Sequence, residues 1–138
     1  MRILYYSTEE KSMFDDPEGP IEHFSWGKFI IRGEEHSKGV GEGKDICVIG
    51  EEVVQWERMG GHHLKRKSVR MLKGMDIDTL IIGNGVNGVV EVSGKVKDEI
   101  GKMGVFHLII ETTPKSCKTY NEKFRKGEKV CLLAHGTC

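Results

Sequence analysis

Four short apolar runs constrain this chain more than any other feature. They are Asp45–Ile49 before Gly50, Thr79–Ile82 before Gly83-Asn84-Gly85, Val105–Ile110 before Glu111-Thr112-Thr113, and Val130–Ala134 before His135-Gly136-Thr137-Cys138. Uninterrupted apolar runs of this length fit strands buried on both faces. Helix-like segments separate them, and that alternation predicts an α/β fold with a largely parallel sheet. Such sheets bind ligands beyond the carboxyl ends of their strands. All four runs end in small or reactive residues suited to that edge, so the sequence locates a site without naming a reaction.

At 138 residues the chain has the length for one domain with a single sizeable core. Its 21 basic residues balance its 21 acidic ones, so no global field draws it to nucleic acid or an anionic membrane. No apolar run approaches the roughly 20 residues of a membrane span. The opening Met1-Arg2-Ile3-Leu4-Tyr5-Tyr6 is too short for a secretory signal, so a cytoplasmic location is expected. Cys47, Cys117, Cys131 and Cys138 form no CxxC pair. Free thiols are expected, with the first three acting as small core residues.

Residues 1–20 are acidic and contain the breaker cluster Asp15-Asp16-Pro17-Glu18-Gly19-Pro20. They read as an arm, weakly ordered or ordered by a partner, ahead of a single domain over 21–138. Glu22–Arg32 is rich in aromatic and β-branched residues and reads as one strand. A glycine-rich turn over 33–44, with Gly39, Gly41 and Gly43, would join it to Asp45–Ile49 as an antiparallel hairpin. Glu51–Gly61 is irregular by pattern. Leu64–Lys73 reads as a helix with Leu64, Ser68, Met71 and Leu72 on one stripe, stopped at Gly74. Ser93 should cap a helix carrying Val96, Ile100 and Met103, stopped at Gly104. The last helix has Thr113 as its expected cap, Pro114 in its first turn, a stripe of Cys117, Tyr120 and Phe124, and Gly127 at its end. The expected order is an N-terminal β-hairpin followed by α-β-α-β-α-β.

Several short motifs in order carry a resemblance to a known family. They are Phe24-Ser25-Trp26-Gly27, then Trp56 and Arg58 followed by His62, then Leu80-Ile81-Ile82-Gly83-Asn84-Gly85, Tyr120-Asn121, and the closing His135-Gly136-Thr137-Cys138. From about Ile21 to Cys138 the chain resembles a small single-domain family of unknown function. That family includes an archaeal hypothetical protein, the human adipogenesis-associated protein and a mitochondrial complex I assembly factor. The resemblance implies a three-layer α/β domain around a mixed, mostly parallel central sheet. It implies no established enzymatic activity and points to assembly or regulatory roles.

Gly83-Asn84-Gly85-Val86-Asn87-Gly88 matches GxGxxG after a strand, and Glu111 ends the next one. This copies a dinucleotide fingerprint. However, Val89-Val90-Glu91-Val92 separates the third glycine from the helix that Ser93 caps, so no cofactor is expected. The loop's backbone N–H groups suit a smaller anion better. The pocket residues proposed on this reasoning are Trp56, Gly83, Asn84, Gly85, Thr112, Thr113 and His135. Trp56 serves equally as a core plug or a pocket wall.

His135 and Cys138 have the makings of a nucleophile pair. Yet Cys138 closes the sequence, and its own carboxylate would oppose a thiolate, so docking of the last strand's end is the expected role. His62-His63 lacks metal-ligand spacing, and no metal is expected. Lys65-Arg66-Lys67 with Arg70 and Lys73 reads first as a solvated helix face.

No complete nucleophile–base–orienter set is visible. The expected function is therefore a non-enzymatic assembly or adaptor protein with an unidentified protein partner, a homodimer being admitted. The alternatives are a small-anion enzyme or sensor at the strand-end cleft, and a nucleic-acid-associated protein using the basic helix 64–73. No membrane partner is expected.

Overall fold

The structure is a computed structural model that describes residues 11–37, 45–54, 56 and 62–138. Its strands in chain order are β1 (Phe14–Asp15), β2 (Ile21–Ser25), β3 (Lys28–Ile31), β4 (Glu34–His36), β5 (Asp45–Ile49), β6 (Glu52–Val54), β7 (Thr79–Gly83), β8 (His107–Glu111) and β9 (Val130–His135). Its helices are α1 (Arg66–Val69), continued by a 3-10 turn over Arg70–Leu72, α2 (Gly94–Gly101) and α3 (Thr113–Arg125).

All four apolar runs lie in one sheet, ordered β6-β5-β9-β7-β8. Both β8 and β9 run parallel to β7. The sheet is mixed and mostly parallel, as expected: β7, β8 and β9 share one direction, and β5 alone of the four runs is antiparallel to its neighbour β9. The reason lies in its exit. Gly50, at φ +62°, turns β5 directly into β6 with no helix between, so nothing imposes the crossover that parallel neighbours require. The β6 strand corrects the reading of Glu51–Gly61 as irregular. The carboxyl end of β5 lies at the far edge, and its first residue, Asp45, stands opposite His135.

The expected hairpin between residues 22 and 49 is also corrected. Glu22–Arg32 folds on itself as β2 and β3, turning at Trp26-Gly27, where Gly27 takes φ +70°. A positive φ at the second central residue of a two-residue turn is the conformation glycine accepts. These strands belong to a second sheet, β1-β2-β3-β4. The glycine-rich turn lies outside the described residues from position 38 onward. The acidic arm is described from residue 11. There β1 pairs with β2, and Asp16 accepts hydrogen bonds from Asn121 Nδ2 (3.0 Å) and Arg125 (2.7 Å), so this part is held by the chain itself.

Three layers result. Alternation along β9 sends Cys131 and Leu133 into a core with Val69, Leu72, Val96 and Ile100, under α1 and α2. The same alternation sends Val130, Leu132 and Ala134 into an opposite core with Cys117, Tyr120, Phe24 and Phe29, under α3 and the small sheet. Helix α2 is capped as expected, Ser93 Oγ accepting from Val96 N–H at 3.3 Å. The helix read over 64–73 is only one turn and a 3-10 extension. Its flanking Lys65 offers no side-chain acceptor to the first free N–H groups. Asn121, fully buried on α3, clamps Ile21: its Oδ1 accepts from the Ile21 N–H (3.0 Å) and its Nδ2 donates to the Ile21 carbonyl (2.7 Å).

Candidate functional site at the strand-end edge

The parallel strands β7, β8 and β9 bring Gly83, Glu111 and His135 to one edge. There the chain closes on itself. The Asn84 N–H donates to the Glu111 carbonyl (2.9 Å) and the Gly85 N–H to Thr113 Oγ1 (3.0 Å). The Val86 N–H donates to the Thr137 carbonyl (2.7 Å), and the Asn87 N–H to Cys138 O (3.3 Å). The Gly88 N–H donates to the Gly85 carbonyl at 3.2 Å. Every N–H of the loop 84–88 thus already has an acceptor from the chain. A Cβ at Gly85 would sit 2.2 Å from Cys138 O, and this glycine has φ +105°. Here glycine admits the chain's own tail, where the dinucleotide fingerprint would admit a pyrophosphate.

Thr113 is the hub of the edge, which corrects its reading as a helix cap. The N-cap is Thr112, with no side-chain capping bond, and Pro114 still falls in the first turn. The fully buried Thr113 donates its hydroxyl to the His135 carbonyl (2.7 Å) while receiving Gly85. Its own N–H donates to the Gly85 carbonyl (3.0 Å). Gly83 is needed because a Cβ there would meet Ser116 Oγ at 2.7 Å and Thr113 Oγ1 at 2.9 Å.

His135 is buried. Its Nδ1 lies 2.9 Å from Asp45 Oδ1, and its Nε2 3.1 Å from Thr137 Oγ1. An ionised carboxylate only accepts, so with Asp45 ionised Nδ1 carries the proton and a neutral ring accepts from Thr137 at Nε2. Cys138 does not pair with His135; its Sγ lies 3.4 Å from His62 Nε2. The His62 and His135 rings meet edge-on, with centroids 6.5 Å apart. Carboxylate, imidazole and hydroxyl stand in the order of a nucleophile relay. The Val86 and Asn87 N–H groups are spent on the tail's carbonyls, so the relay as built orients and locks the tail.

Of the residues proposed for a pocket, Gly83, Asn84, Gly85, Thr112, Thr113 and His135 share this edge, most of them joined by those bonds; a Cβ added at Gly88 would fall 3.6 Å from both Asn84 Oδ1 and Thr112 Cγ2. Trp56 does not join them. Its Nε1 donates to the Ser68 carbonyl at 2.8 Å and its ring packs under α1, making it a plug of that core. Arg58 lies outside the described residues. Sequence reasoning missed Asp45, whose role follows only from the reversed direction of β5. It also missed an open surface pocket of about 370 Å³ with Arg32, Glu34, His36 and Glu51 on its wall. An ion pair between Arg32 and Glu51 crosses there.

A family described as "Protein of unknown function (DUF498/DUF598)" matches residues 21–135. The chain belongs to this family. Among solved structures it is similar to a conserved hypothetical protein, PH1505, from Pyrococcus horikoshii OT3. The identity is 21%, with 86% of this chain and 98% of that one covered and a TM-score of 0.69. It is also similar to a protein called MT938, at 23% identity, 93% and 100% coverage and a TM-score of 0.65. A third likeness is to a Bartonella henselae protein described as an outer membrane protein, at 16% identity, 87% and 96% coverage and a TM-score of 0.72. At these identities the likeness is one of fold. Among the described residues no helix is long and apolar enough to cross a membrane, and no group of three or more His, Cys, Asp or Glu could hold a metal.

Proposed function

We propose that the chain works as a binding protein of the assembly or adaptor kind, presenting its strand-end edge to a protein partner. The observation that carries this reading is the self-closure of the loop 84–88, whose N–H groups are all donated within the chain. Beside this loop two large apolar side chains stand exposed. Trp26 is 53% exposed at the β2–β3 turn. The next residue, Gly27, fixes that turn by donating its N–H to the Gly136 carbonyl at 2.7 Å. A large side chain held on a tethered turn loses little freedom on binding, and tryptophan is enriched among residues that dominate interfaces. Val89, just past the loop, is exposed as well.

The test compares the full chain with Trp26→Ala in quantitative capture of partners, with and without inorganic phosphate. Capture should fall roughly tenfold or more in the variant, the usual scale of a binding hot spot, and be indifferent to phosphate. Capture untouched by Trp26→Ala would contradict the reading. Competition by phosphate would favour the small-anion enzyme or sensor, and capture of nucleic acid the reading through the basic segment 64–73.

A further inference from the structure

We infer that the outer edge of β8 pairs with the same edge of a second copy of this chain, about a two-fold axis through Ile109. This surface runs along the length of β8 and meets the strand-end edge only at Glu111; the pairing does not depend on the function proposed above.

The ladder with β7 determines which groups of β8 are available. The His107 N–H donates to the Asp78 carbonyl (3.1 Å), and the Glu111 carbonyl accepts from the Asn84 N–H (2.9 Å). With Thr79 beside His107 and Gly83 beside Glu111, the backbone groups of His107, Ile109 and Glu111 therefore point inward to β7. Those of Leu108 and Ile110 point outward, where no strand of the described residues lies.

An antiparallel copy fits this pattern residue by residue. With Ile109 facing the partner's Ile109 as a non-hydrogen-bonded pair, Leu108 falls opposite the partner's Ile110. That pair can exchange both N–H···O bonds. Symmetry repeats the exchange on the other side of the axis, giving four bonds from four outward residues. His107 then lies directly opposite the partner's Glu111, on the same sheet face, at both ends of the ladder. An imidazole opposite a carboxylate, which also accepts from Thr119 Oγ1 (2.7 Å) in its own chain, is a donor–acceptor pair that favours this register over its neighbours.

The strand also lacks the usual defences of an edge. His107-Leu108-Ile109-Ile110-Glu111 contains no proline, no lysine and no register shift. Its three apolar residues are only half-buried, and Phe106 before them is 79% exposed. By contrast the other edge of the sheet, β6, has only three residues. An isologous pairing buries both copies of the apolar edge at once.

The test measures association of the full chain by sedimentation from micromolar to millimolar concentration, together with amide hydrogen exchange. A dimer should form, and protection of the Leu108 and Ile110 amides should rise with concentration. Those of Ile109 and Glu111 should stay protected throughout, being bonded to β7. Ile110→Pro deletes an outward N–H while sparing the inner ladder, and should abolish the dimer. His107→Glu, at an exposed position, sets like charges against each other twice and should raise the dissociation constant roughly tenfold. It serves also if the proline variant fails to fold. A dimer whose Leu108 and Ile110 amides exchange freely at every concentration would overturn the inference. So would a chain that stays monomeric at millimolar concentration, leaving this edge to a strand of another protein.

Discussion

Gly85 is the residue on which the strand-end edge depends most directly. Its φ is +105°, and an added Cβ would overlap Cys138 O. Gly85→Ala should therefore expel the tail and cost about 1–3 kcal/mol, the usual range for a strained or overpacked site. Chemical denaturation would measure the loss, and faster exchange at the Val86 and Asn87 amides would identify its cause. Asn121 gives a second prediction at this scale. Asn121→Ala strands the buried Ile21 N–H and carbonyl, so unfolding should become easier by about 1–3 kcal/mol. The thiols give a third. Burial pushes the Cys117 thiol up, and contact with Cys47 together with burial pushes Cys131 up. Only Cys138 should then react with iodoacetamide in the native chain, the other three reacting on unfolding. These roles were partly legible beforehand. The glycines and His135 stand out by type, and the buried thiols by their place in apolar runs. Thr113 resembled a helix cap because its two partners, Gly85 and His135, are remote in sequence.

Among the elements, the segment that carries β1 is held to α3 by a titratable contact. The hydrogen bond from Arg125 lowers the Asp16 pKa below its ordinary 3.8, with Asn121 also contributing, against some burial. A carboxyl depressed on folding contributes stability above its unfolded pKa and loses it as pH falls through the lower folded value. The segment should thus stay docked at neutral pH and release in acid below about pH 3.8. Exchange at the Met13 and Asp16 amides, which donate to the Phe24 and Glu22 carbonyls, would report the release. Arg125→Gln should shift it toward higher pH; a midpoint unmoved by that variant would count against the contact. Element types were readable wherever signals were local, as at Ser93, Pro114, Gly74, Gly104 and Gly127, the last three all at positive φ. Pairing was less readable. Trp26-Gly27 turns one apparent strand into two, and the direction of β5 depends on what it lies beside, not on its own residues.

For the whole molecule, the α/β class and the edge shared by β7, β8 and β9 follow from the apolar runs and their breakers, and the three layers from the family resemblance. The order of the strands does not, because β9 inserts between β5 and β7 although it comes last in the chain. That insertion carries the tail across the loop 84–88 and gives the domain its character, a strand-end loop whose N–H groups are all satisfied from within. The most direct test is an amide-resolved titration of the full chain with inorganic phosphate. No saturable shift is expected at Gly85, Val86 or Asn87, and the protection of all three should be unchanged. Saturable shifts there, with loss of the protection that Thr137 and Cys138 provide, would show that the tail yields to an anion and would contradict the self-closure of the loop.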